Sequence, residues 1–184
     1  MACGDKNHGI KKLSCLLEIA YYYSWIYQRG EGYMVSAKKV AHYVIGFFHE
    51  REDLITNLKL QKLLYYIQGW HLGLYGIPLF PEELQAWVHG PVQPAIYGDY
   101  KHYRWSPILE EIPDVGLPVE VCSHIEDVLK VFGVKTAYEL ERMTHHEPPW
   151  LLARGTLSHD EECTNIISKE SMKTYFSRLA NEEN

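Results

Sequence analysis

The segment from Asn57 to Leu74 constrains this chain more than any other. Leu60, Leu63, Leu64, Ile67, His71 and Leu74 recur at three- and four-residue steps, which puts them on one broad apolar stripe of an α-helix with His71 at its margin. Such a stripe must be covered by other elements, so the helix predicts a domain packed around it. Its other face carries Lys62, Tyr66, Gly69 and Gly73. A glycine in a helix interior costs about 1 kcal/mol relative to Ala, a cost most simply offset where another backbone packs closely. Close packing is the expectation for Gly69. For Gly73, fraying of a last turn before Gly76 and Pro78 is an equal reading.

The remaining pattern is mostly helical. Ser36 reads as the N-cap of a helix over 37–47, with Val40, Tyr43, Val44 and Phe47 inward. After Pro78 come the extended pieces Leu79-Phe80 and Gln85 to Val88, and prolines then hold His89 to Pro94 open, which predicts a small β-ribbon or arm. Pro94 opens a helix with Ile96, Tyr97, Tyr100 and Tyr103 on one face, followed by an acidic loop with one short strand at Ile108-Leu109. Val121, Cys122, Ile125, Val128, Leu129 and Phe132 predict a helix stopped by a left-handed Gly133. Thr136 and Glu139 have capping-box spacing, Pro148-Pro149-Trp150 starts a short helix ending at Gly155, and Ser168 caps a last helix with Met172, Tyr175, Phe176 and Leu179. The predicted fold class is mainly α: a single compact helical domain of six to seven helices, with a short β-ribbon or extended arm after the second long helix. The length of 184 residues suits one core and is short for two.

Residues 1–33 differ in character, with the run Tyr21-Tyr22-Tyr23 and a linker-like exit at Gly30-Glu31-Gly32. The domain is therefore expected over 34–184. Residues 1–33 are either an accessory extension or a stretch upstream of a true start at Met34.

The formal net charge of −6 has the wrong sign for binding nucleic acid by phosphate neutralisation alone. Lys38, Lys39, Lys59 and Lys62, and the interleaved run Tyr97 to Trp105, read more simply as a solvated face and core tyrosines than as a base-stacking surface. Cys3, Cys15, Cys122 and Cys163 lack zinc-site spacing and disulfide density, so they are read as reduced thiols of a cytoplasmic protein. Ile19 to Tyr27 is too short to span a membrane and is no signal peptide. No nucleophile elbow, phosphate loop, dinucleotide fingerprint or H-E-x-x-H motif occurs. His42 and His49 lack a third ligand, His145-His146-Glu147 reads as a polar helix end, and His71 and His89 flank the arm and are candidates to meet in space. No enzyme, cofactor or metal is expected. The tryptophans and tyrosines, types enriched at interface hot spots, favour a protein-interaction module.

The run Thr56 to Leu72, with its L-Q-K-L-L-Y-Y-x-Q-G-W-H core, closely resembles the Panacea domain, the SocA-like antitoxin or phage-associated GepA-type family. The resemblance continues through Gly76, Pro78-Leu79-Phe80, Ala86-Trp87, Gly90-Pro91-Val92, Pro94 and Tyr97, and returns at Thr144-His145, Pro149-Trp150, Ala153-Arg154 and Tyr175, from about Met34 to the last helix. It implies an antitoxin of a type II toxin–antitoxin pair that neutralises a cognate protein toxin by direct binding, or alternatively an adaptor handing a partner to a Clp-type protease. The partner-binding candidates are Lys62, Tyr66, Gly69, Trp70, Trp87, Gly90, Pro91, Val92 and Trp150, on an exposed face formed by the second helix and the Gly90-Pro91-Val92 arm.

Overall fold

Helix α1 (Ala37–His49) starts where the Ser36 hydroxyl accepts the Lys39 amide at 3.3 Å, and buries Val40, Ala41, Val44, Ile45 and Phe48. Helix α2 (Asn57–Tyr75) is capped likewise by Thr56 and ends at Gly76, whose φ of +75° is the left-handed conformation that glycine adopts without penalty. The structure is a computed structural model that describes residues 34–113 and 115–182, so the expectations for 1–33 lie outside the described residues.

Strand β1 (Leu84–Trp87) pairs antiparallel with β2 (Gly90–Val92), Trp87 facing Gly90, and on its other side with β3 (Ile166–Ile167). The resulting sheet has the order β2-β1-β3. Helix α3 (Pro94–Tyr100) runs into a 3₁₀ turn over Lys101–Tyr103, and of its predicted tyrosine-rich face only Ile96 and Tyr100 are buried. Then follow α4 (Val119–Phe132), α5 (Ala137–Thr144) with a complete Thr136–Glu139 capping box, α6 (Pro148–Arg154) and α7 (Lys169–Glu182). Among the described residues the fold is thus mainly α, seven helices with a small antiparallel sheet, as the sequence predicts.

Four local expectations are corrected. Leu79-Phe80 is not a strand; both amides donate to the Gln68 side chain. Nor is Ile108-Leu109, where Ile108 instead donates to the Ile55 carbonyl at 2.9 Å. Gly133 is right-handed, with φ −63°. The third strand, β3, has no counterpart in the sequence reading, because two residues cannot display an alternation.

Helix α2 is buried on every side rather than along one stripe. Its most extensive partner is α7, which crosses at the two glycines. A Cβ on Gly73 would lie 2.7 Å from the Phe176 carbonyl carbon, and one on Gly69 would overlap the Phe176 ring. Close approach of a second helix therefore explains both glycines, and Gly73 does not belong to a frayed turn.

Candidate partner-binding groove

Around α2 the polar side chains of its motif hold other segments in place. Gln61 accepts the Gln93 amide at 2.8 Å and donates to Asn57, which in turn donates to the Tyr97 carbonyl. Gln68 pins the chain at Leu79 and Phe80 through three hydrogen bonds. Lys62 is wholly buried and donates to the Pro91 carbonyl at 3.0 Å. Burial pulls its amine down to about 7, with the Glu141 carboxylate opposing that shift. The Tyr65 and Tyr66 hydroxyls donate to the two oxygens of Glu147 at 2.7 and 2.8 Å. Burial raises the pKa of the Glu147 carboxyl against those hydrogen bonds, and both phenols are pushed well above their usual range. Such satisfied networks offset the cost of burying polar groups.

This arrangement corrects the expected exposed face. Lys62, Tyr66, Gly69, Gly90, Pro91, Val92 and Trp150 are all buried, Lys62 and Trp150 completely. Trp70 is half-buried against Phe176. Gly90, at φ +94°, leaves room for the Lys62 side chain; a Cβ there would stand 2.9 Å from Lys62 Cε and 2.8 Å from Thr144 Oγ1. Trp150 donates its indole N–H to the Trp87 carbonyl at 3.0 Å, so it supports β1 from behind. Only Trp87 and Val92 of the nine line the open groove described next.

That groove has a volume of about 590 Å³, within the range of roughly 300–1,000 Å³ typical of ligand sites. Five segments build it: the start of α2 with Asn57, Leu58 and Gln61, the hairpin tip from Trp87 to His89, Val92 of β2, the α3 turn with Tyr97, Lys101, Arg104 and Trp105, and the loop Glu162 to Thr164. Trp87 packs edge-on against Tyr97 with centroids 4.9 Å apart, and its indole N–H donates to Gln85. Trp105 is 71 % exposed and meets the His89 ring. His89 donates to Glu141 at 2.9 Å. Arg104 has φ +55° and ψ −114°, a conformation that L residues rarely occupy. Behind the loop, the buried Arg154 guanidinium donates to the carbonyls of Ala86 (3.0 Å), Glu161 (2.6 Å) and Ser158. The sequence contains a signal for the α3 turn, the aromatic–cationic run Tyr97 to Trp105. Trp87 and Val92 are among the candidates and the start of α2 lies in the motif, so the loop Glu162 to Thr164 is the segment that carries no signal.

Two histidines pair in the core. His71 donates to the Ile77 carbonyl and His124 to the Ile67 carbonyl, at 2.8 and 2.9 Å, with their rings 5.0 Å apart. Burial lowers them to about 3 and about 4. His89 sits with Glu141 and Trp105, so it does not meet His71. The 145–147 run is the polar helix end expected, with His145 capping α5 and Glu147 preceding α6; His145 stacks on Trp150, His146 donates to the Arg142 carbonyl, and Glu147 turns inward to the tyrosines. Among the described residues no cluster of three His, Cys, Asp or Glu is placed to hold a metal, and no helix is long and apolar enough to cross a membrane.

A mainly helical domain threaded on one buried, motif-bearing helix, with a small sheet packed beside it, defines the class. The chain belongs to the family described as Antitoxin SocA-like, Panacea domain, whose model matches residues 60–151. That match is narrower than the resemblance read from the sequence; it spans α2 to the middle of α6 and stops before Glu162 to Thr164. The chain is also 40 % identical over 136 residues to "Antitoxin SocA" of Caulobacter vibrioides (strain NA1000 / CB15N), covering 66 % of this chain and 72 % of that protein. No solved structure matches it.

Proposed function

We propose that this protein is the antitoxin of a type II pair and neutralises a protein toxin encoded beside it by direct contact, with the groove as the contact surface. The observation that carries this reading is the groove itself, open and lined by Trp87, Tyr97 and Trp105, in a member of an antitoxin family. Exposed aromatic side chains supply large contact area with little conformational freedom to lose, which is why they dominate interface hot spots. The start of the α2 motif lines the groove with Asn57 and Gln61, and the motif also acts one step away from the partner. It fixes β2 through Lys62 and α3 through Gln61 and Asn57, and so sets the geometry of the groove walls.

The test is co-expression with the product of the adjacent gene. Wild-type protein restores growth and co-purifies with that product; a Trp105→Ala, Tyr97→Ala double variant folds normally but does neither. Full protection by the double variant removes the groove from the mechanism, and failure of the wild type to protect removes the antitoxin reading.

A further inference from the structure

Resting on that reading, we infer that the groove takes an extended acidic segment of the partner, one in which an aromatic or large aliphatic side chain lies between carboxylates. Lys101 and Arg104 stand on a single turn closed by the Arg104 amide donating to the Lys101 carbonyl at 3.1 Å; both are exposed and line the groove, and neither side chain forms a hydrogen bond or ion pair among the described residues. Elsewhere on this surface Lys38, Arg51, Lys130, Lys169 and Arg178 each face a carboxylate, and Lys39 and Lys135, which form no ion pair among the described residues, do not line the groove. On a chain of net charge −6, two neighbouring cations without a carboxylate partner form a local reversal of sign.

The backbone conformation of Arg104 strengthens the argument. A non-glycine residue is held at φ +55° at the rim of an open groove, in a region that would accept glycine without strain. Trp105 follows it at 71 % exposure, and Tyr97 and Trp87 provide the apolar surface beside the two cations. The site therefore offers flat apolar contact flanked by positive charge, which complements an acidic, aromatic-bearing peptide. Single-stranded nucleic acid is less well matched: Glu162 also lines the groove, and two cations neutralise few phosphates.

Fluorescence anisotropy on the full chain tests this with three labelled probes: a seven-residue peptide alternating Glu and Phe, the same peptide with Lys in place of Glu, and a seven-nucleotide oligo-dT. The acidic peptide is expected to bind roughly tenfold more tightly than the basic one, and more weakly as salt is raised. Lys101→Gln with Arg104→Gln should abolish that preference and leave the melting temperature unchanged. Equal binding of the two peptides, or tighter binding of oligo-dT, overturns the inference. The same double variant in the co-expression assay separates this inference from the antitoxin reading. If it loses the acidic peptide yet still neutralises the toxin, the acidic-segment assignment falls and the antitoxin reading stands. If the wild type prefers the acidic peptide but neutralises no adjacent product, the antitoxin reading falls and the preference of the groove stands.

Discussion

On α2, Gln61, Lys62, Tyr65, Tyr66 and Gln68 are buried and each bonds to another part of the chain; on the turn after α3, Lys101, Arg104 and Trp105 are exposed and the two cations form no ion pair among the described residues. The longest stretch of the family motif lies in the first region, whereas Lys101, Arg104 and Trp105 of the proposed contact surface lie outside that motif. Most of that stretch holds the domain together, and the scaffold presents the rim residues beside it. Substitutions should separate these regions: α2 and its supports change stability, and the rim changes binding.

The largest effect is expected at Trp150, whose fully buried ring and bond to the Trp87 carbonyl support both α6 and β1. Trp150→Ala should cost about 3–5 kcal/mol by thermal or urea unfolding, and a melting temperature close to wild type would break the assignment of Trp150 to the scaffold. Next comes the helix crossing. Gly73→Ala drives a Cβ into the Phe176 backbone and should destabilise by about 1–3 kcal/mol. Gly46→Ala, in open space on α1, should stabilise by about 0.5–1 kcal/mol. Equal responses of the two glycines would contradict the close approach of α7.

The buried His71–His124 pair gives a pH dependence with a defined sign. Both pKa values are depressed in the folded state, to about 3 and about 4, from 6.5. The unfolded chain thus binds more protons below about pH 6.5, and folding stability falls as the pH drops towards about 4. Glu147, whose pKa burial raises, works in the opposite direction, so the comparison with a variant is the measure. His124→Gln should lose less melting temperature than wild type between about pH 7 and about pH 5; parallel losses would remove the pair as a source of the slope. A further small stability change is expected at the rim. Arg104→Gly relieves the backbone and should stabilise by about 1 kcal/mol while weakening protection against the toxin. Unchanged protection with raised stability would show that the strained conformation has no part in recognition.

Most of the scaffold was legible because its signals are local. Ser36, Thr136 with Glu139, Pro148 and Ser168 define helix starts within three or four residues, and the glycines of α2 announce a close neighbour without naming it. What was not legible depends on distant contacts. Glu147 reads only as part of a polar helix end until Tyr65 and Tyr66 reach it across 82 and 81 positions, and β3 becomes a strand only by pairing with β1. The groove draws on five segments, and Trp87, a motif residue and the clearest of the nine candidates to reach it, is brought there by the pairing of β1 with β2.

Arg154 secures one end of a groove wall. Its buried guanidinium ties the loop at Ser158 and Glu161 to β1, and just past the wall the Asn165 carbonyl accepts the Ala86 amide at 2.9 Å before β3 pairs with β1, so Glu162 to Thr164 is a short span pinned at both ends, with Cys163 turned into the core. A change in the length of that span therefore acts on the sheet as well as on the groove, and the two shapes are set together.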